Sequence, residues 1–147
     1  MTLAPAIFDE LKQAANVRLF TVTVVDRTAG LARRAYSSHP VEYPVTGTKP
    51  IGNDAWSRRV LGQGQSFVAN STPEFAIYFP DHALINALGC HSAMNIPVLR
   101  DGTVAGTVNL LDAEGHFTPA RATELEALVA GAAPRLLAAF ATIPLAA

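Results

Sequence analysis

The chain has 147 residues, 50% of them apolar and 16% charged, a composition that suits one globular domain with a single core. Its 11 basic and 12 acidic residues are interspersed, with none of the basic patches that nucleic acid or an anionic membrane surface requires. No apolar run approaches the ~20 residues of a bilayer span, the opening MTLAPAI lacks the features of a secretory signal, and one cysteine forms no internal disulfide. A cytoplasmic protein is the expectation.

The first element is an amphipathic helix over 6–16, where Ile7, Leu11 and Ala15 recur four apart with Phe8 on the same stripe. VRLFTVTVVD (17–26) is rich in β-branched and aromatic residues and predicts a strand, RTAG a turn, and LARRAYSS (31–38) a returning strand. From His39 to Asn53 three prolines, two glycines and no apolar period predict a long loop. DAWSRRVLGQG starts from an Asn53 or Asp54 cap and predicts a short helix; SFVA predicts a brief strand. STPEFAIYFPDHALINALG is broken by Pro80 into two helical pieces, the second ending at Gly89.

Asp101-Gly102 lies between two apolar runs and predicts a two-residue type I′ hairpin turn, whose central residues both need positive φ. That turn pairs Arg100 with Thr103, Val98 with Ala105, Ile96 with Thr107 and Met94 with Asn109. One face then carries Asn95, Pro97, Leu99, Val104, Gly106, Val108 and Leu110, suited to packing on helices. The other carries Cys90, Ser92, Met94, Ile96, Val98, Ala105, Thr107 and Asn109, suited to lining a cavity. Pro97 belongs at an edge or a bulge. A closing helix starts at a Thr118 cap with proline behind it, carries an apolar stripe of Leu125, Leu128, Val129, Leu136 and Leu137, and should kink or end early at Pro134.

This order, with SAMNIPVLRDGTVAGTVNLLD as its hairpin, resembles the GAF domain over nearly the whole chain. The resemblance implies an α+β fold related to PAS domains: an antiparallel sheet with the terminal helices on one face and a loop-covered pocket on the other. It implies a small-molecule-binding module, a sensor acting through a separate partner, and a homodimer through the helices. Surplus apolar stripe on those two helices points the same way. One branch of the family, the free methionine-R-sulfoxide reductases, is enzymatic. Aligned on Pro97 and Gly106, its catalytic cysteine falls near Asn86 and its acidic substrate-binding positions near Ala93 and Asn109, none of which matches.

The pocket candidates come from two stretches and the hairpin. In AYSSHPVEYPVTGTKPIGNDAW, Tyr36, Tyr43 and Trp56 offer apolar walls while Ser38 and Lys49 offer donors; the same stretch also reads as a solvated loop whose aromatics cap the core. In YFPDHAL, Phe79, Asp81 and His82 stand at a helix break, with Asp81 equally placed to cap the following helix. Ser92 and Asn109 come from the hairpin. Lys49 suits a carboxylate or phosphate, so the expected ligand is anionic or aromatic. Cys90 reads as a small buried hydrophobe, or as a thiolate assisted by His82 or His91. No HxH, HxxxH or CxxC spacing, phosphate loop or nucleophile elbow is present, so neither metal nor cofactor is implied. A small pocket enzyme is the alternative function.

Overall fold

The computed structural model describes residues 5–45 and 47–144; residues 1–4, part of the opening stretch, and Thr46 of the long loop lie outside them. Six antiparallel strands form one sheet in the order β3-β2-β1-β6-β5-β4. They are β1 (Leu19–Asp26), β2 (Leu31–Ser37), β3 (Thr48–Pro50), β4 (Phe67–Ala69), β5 (Ser92–Arg100) and β6 (Thr103–Asp112). The helices are α1 (Ala6–Ala15), α2 (Ala55–Ser57, continued by a π-helical turn Arg58–Gly62), α3 (Thr72–Ala76), α4 (His82–Ala87) and α5 (Pro119–Phe140). The α+β class therefore holds. β3 lies inside the segment expected to be loop, paired with β2 at the sheet edge.

Alternation along β1 sorts the two faces. Phe20, Val22 and Val24 pack with α1 and α5, whose Phe8, Leu11, Leu125, Val129, Leu136 and Phe140 complete the main core. Leu19, Thr21, Thr23 and Val25 point the other way, toward α3, α4 and the long loop. Thr118 caps α5, its hydroxyl accepting from Arg121 N at 3.2 Å. The helix runs through Pro134 to Phe140, so of the two expected outcomes, a kink or an early end, the early end does not occur. Burial of Leu136, Ala139 and Phe140 beyond the proline holds that last stretch on the sheet.

The Asp101-Gly102 turn has the expected backbone, with φ of 51° and 80°. Beyond it the register departs from expectation. Leu99 pairs with Val104, but Val98 pairs with Gly106, leaving Ala105 as a bulge. The shift reassigns β5. Met94, Ile96 and Val98, expected at the cavity, join Val108 and Leu110 in the helix-facing core. Asn95, expected against the helices, pairs with Asn109 on the opposite face. Pro97 lies past the end of β4, where β5 needs no donor on that side.

The apolar surplus expected to drive dimerisation is absorbed within the chain. The large apolar side chains of α1 and α5 are buried or packed against the core. Among the described residues the exposed large hydrophobics are Val41, Val45, Val68, Ile77 and Leu99, none on those helices.

Candidate functional site

On the sheet face away from α1 and α5, a cavity of about 620 Å³ lies between β1, β5 and β6 below and the 39–57 segment with the α3–α4 break above. Its floor is polar at the centre. Thr21, Asn109 and Asn95 stand side by side on three adjacent strands, with Thr23 beside Thr107 in the next row. Asn109 Nδ2 donates to Thr21 Oγ1 at 3.1 Å and Thr23 Oγ1 at 2.9 Å, and Asn95 Nδ2 donates to Asn109 Oδ1 at 2.9 Å. Trp56 Nε1 donates to Asn95 Oδ1 at 3.0 Å, tying the roof to the floor. Asp54 caps α2 by accepting from Ser57 N at 2.8 Å, which fixes where Trp56 leaves the chain. That backbone bond also holds the Asp54 carboxyl below its ordinary range.

Apolar walls come from Leu19, Val25, Trp56, Phe79, Leu84, Ile85 and Leu111. Trp56 and Phe79 meet edge to face at 6.1 Å between centroids. The Lys49 ammonium lies 5.8 Å from the Trp56 centroid and 5.7 Å from that of Phe79, a cation–π arrangement. Arg34 lines the same space, half-buried, with its guanidinium 5.0 Å above the Tyr43 ring and Nη1 donating to Pro44 O at 2.9 Å. Desolvation lowers the Arg34 pKa, while Tyr43 and Asp81 oppose that shift. Among the described residues neither Arg34 nor Lys49 has a carboxylate within ion-pair distance, 4.0 Å. Tyr43 donates its hydroxyl to Asp81 Oδ2 at 2.5 Å, and burial raises its pKa.

Of the expected site residues, Tyr43, Lys49, Trp56, Phe79, Asp81 and Asn109 line the cavity. Tyr36, Ser38, His82 and Ser92 do not. The β1–β2 register slips between Val22 and Thr23, so Ala35 bulges and Tyr36 crosses to the helix face. There Tyr36 packs on Phe8 and Phe20 and donates to Asp9 at 2.8 Å; burial, more than that bond, pushes its pKa to about 12. Ser38 Oγ accepts from Phe20 N at 2.9 Å, and His82 Nδ1 lies 2.9 Å from Phe79 O. Ser92 Oγ donates to Ala113 O at 2.7 Å. Asp81 occupies the cap position of α4 but makes no capping bond, because its carboxylate is engaged by Tyr43.

Arg34, Asn95, Thr21 and Thr23 were missed, whereas Thr107 lies on the cavity face where the hairpin reading put it. The Thr-x-Thr alternation in LFTVTVVD was a usable signal for a polar sheet face; Arg34 and Asn95 depended on the two bulges.

Cys90 is fully buried among Phe75, Ile85 and Leu111, off the cavity lining. Burial, with Asp112 adding to it, pushes the thiol up to about 11. Native protein at pH 8 is therefore expected to resist iodoacetamide and to react once unfolded. Because the unfolded thiol ionises near ~8.5, this group's contribution to stability is full below that pH and is lost as pH rises toward 11. Cys90→Ala should remove that alkaline slope at a cost of about 1–2 kcal/mol, read from urea melts across pH. Rapid labelling of the folded protein would contradict the buried placement.

A family model described as GAF domain matches residues 2–136. The chain belongs to the GAF family. GAF domains are small-molecule-binding regulatory modules, and the cavity lies on the face opposite the terminal helices. A comparison with curated proteins finds no match. Among solved structures, the GAF domain/HD domain protein from Geobacter sulfurreducens superposes with a TM-score of 0.70 at 15% identity, over 90% of this chain and 88% of that one. The GAF domain of an Acinetobacter phosphoenolpyruvate-protein phosphotransferase gives 0.70 at 12% identity, over 97% and 85%. The free methionine-R-sulfoxide reductase from Neisseria meningitidis, in complex with its substrate, gives 0.69 at 18% identity, over 95% and 79%. At such identities the likeness is one of fold. No helix among the described residues is long and apolar enough to cross a membrane.

Proposed function

We propose that this GAF domain is a ligand-binding module for a small aromatic or apolar anion, a metabolite sensor that signals through a separate partner. The observation that carries the reading is the pairing of apolar aromatic walls with two cations, Arg34 and Lys49, that have no ion-pair partner among the described residues. Two of the three acidic lining residues are already engaged, Asp54 by Ser57 N and Asp81 by Tyr43. Binding is favoured over turnover by the chemistry of the lining, in which the described residues include neither a thiol nor an imidazole. With the apolar stripes of α1 and α5 packed within the chain, a helical dimer rests on the family resemblance alone and forms no part of this reading.

Trp56 is the chain's single tryptophan and lines the cavity, so its fluorescence reports on that space. Benzoate is expected to change it saturably, and benzylammonium to do so far more weakly. Lys49→Met should weaken benzoate about ten-fold or more while shifting the melting temperature little, since Lys49 is exposed and its side chain makes no hydrogen bond or ion pair among the described residues. Equal affinity in the variant would remove Lys49 from the site.

A further inference from the structure

On the cavity floor, one side chain dictates the direction of every hydrogen bond. An indole N–H only donates, so Trp56 requires the oxygen of Asn95 to face it. The Asn95 nitrogen is thereby turned toward Asn109 and donates to its oxygen. Asn109 in turn directs its nitrogen at β1, where both N–H groups are taken by Thr21 and Thr23. Turning over either amide would set donor against donor at one end or acceptor against acceptor at the other. Each threonine hydroxyl therefore accepts from Asn109 and keeps its own proton to give. Neither makes a further hydrogen bond among the described residues, and the hydroxyl of Thr107, opposite Thr23, makes none.

We propose that the floor is a donor surface: the ligand buries an oxygen that carries no hydrogen, a carboxylate or ketone oxygen, against Thr21, Thr23 and Thr107. Trp56 is the positioning residue that sets this polarity through Asn95 and Asn109. The inference rests on the binding reading above. A ligand presenting only a donor could meet a spare hydroxyl lone pair, but it would leave the hydroxyl protons desolvated and unpaired, which is the more costly arrangement.

Acetophenone and indole have the same number of heavy atoms and differ in presenting an acceptor or a donor, so they form the test pair. With binding followed by chemical-shift changes at the Thr21, Thr23 and Thr107 amides, acetophenone is expected to bind at least about ten-fold tighter than indole. In Trp56→Phe the amides lose their fixed direction and the preference should fall to roughly three-fold or less. Benzoate distinguishes the two acceptor sources: tighter binding than acetophenone, reduced to parity by Lys49→Met, identifies a carboxylate, and parity in the unaltered protein identifies a ketone. Indole binding as tightly as acetophenone would overturn this proposal and leave the binding reading standing. No shift from any of the three at millimolar concentration would overturn both. Should Trp56→Phe fail to fold, neutron diffraction on the unaltered protein decides the polarity. Deuterons of Thr21 and Thr23 turned away from Asn109 support the proposal, and deuterons donated to its oxygen overturn it.

Discussion

Gly106→Ala is expected to destabilise the domain by about 3 kcal/mol, lowering the melting temperature by about 10 °C. Gly106 sits mid-sheet on β6, opposite Val24 and Val98, on the face covered by α5. A Cβ there would lie 2.4 Å from Thr23 O and within 2.7 and 2.9 Å of two ring atoms of Phe140. The ring could give way at the cost of its packing. The carbonyl belongs to the neighbouring strand and cannot move without disturbing the ladder on the cavity floor. The same chemical change at Gly131, on the exposed side of α5 with nothing within 4 Å, should instead stabilise by about 0.8–1.0 kcal/mol through helix propensity alone. Thermal melts of the two variants should move in opposite directions; a Gly106→Ala protein as stable as its parent would refute the close approach of β6 to α5.

Asn95→Leu is expected to cost on the order of 2–4 kcal/mol although it keeps the branched side-chain skeleton and adds apolar character to a buried position. Asn95 is 5% exposed, and its side chain links Trp56 to Asn109. Leucine leaves the indole N–H and the Asn109 oxygen without partners at once, and the cost stays near the lower part of the range for two orphaned groups because cavity water can reach them. Asn109 is then free to turn, so the donor character of the floor is lost together with the stability. Urea melts and the position of the Trp56 emission maximum read the two effects separately. A stability gain with unchanged emission would mean that the Trp56–Asn95–Asn109 relay does not exist.

Much of this architecture was legible in the sequence because it is written in short-range patterns. The 3.6-residue stripe of α1, the alternation of β1, the Thr118-Pro119 start of α5 and the Asp101-Gly102 turn all carry their own local signals. What sequence could not locate were two single-residue bulges, at Ala35 and Ala105, since neither alanine differs from its neighbours in a way that marks it. A strand's side chains alternate with period two, so one extra residue exchanges the faces for everything beyond it. The first bulge takes Tyr36 away from the cavity and leaves Arg34 in it. The second brings in Asn95 and removes Met94, Ile96 and Val98. The engagement of Asp81 by Tyr43, 38 residues away, is likewise a tertiary contact that no local cap pattern announces.

A crystal structure of the protein soaked in benzoate tests the central claim most directly. The ring is expected against the wall formed by Trp56 and Phe79, with the carboxylate in hydrogen-bonding or ion-pair reach of the threonine floor, Lys49 or Arg34. Benzoate bound only elsewhere on the surface, with the cavity holding none under saturating soak, would contradict it.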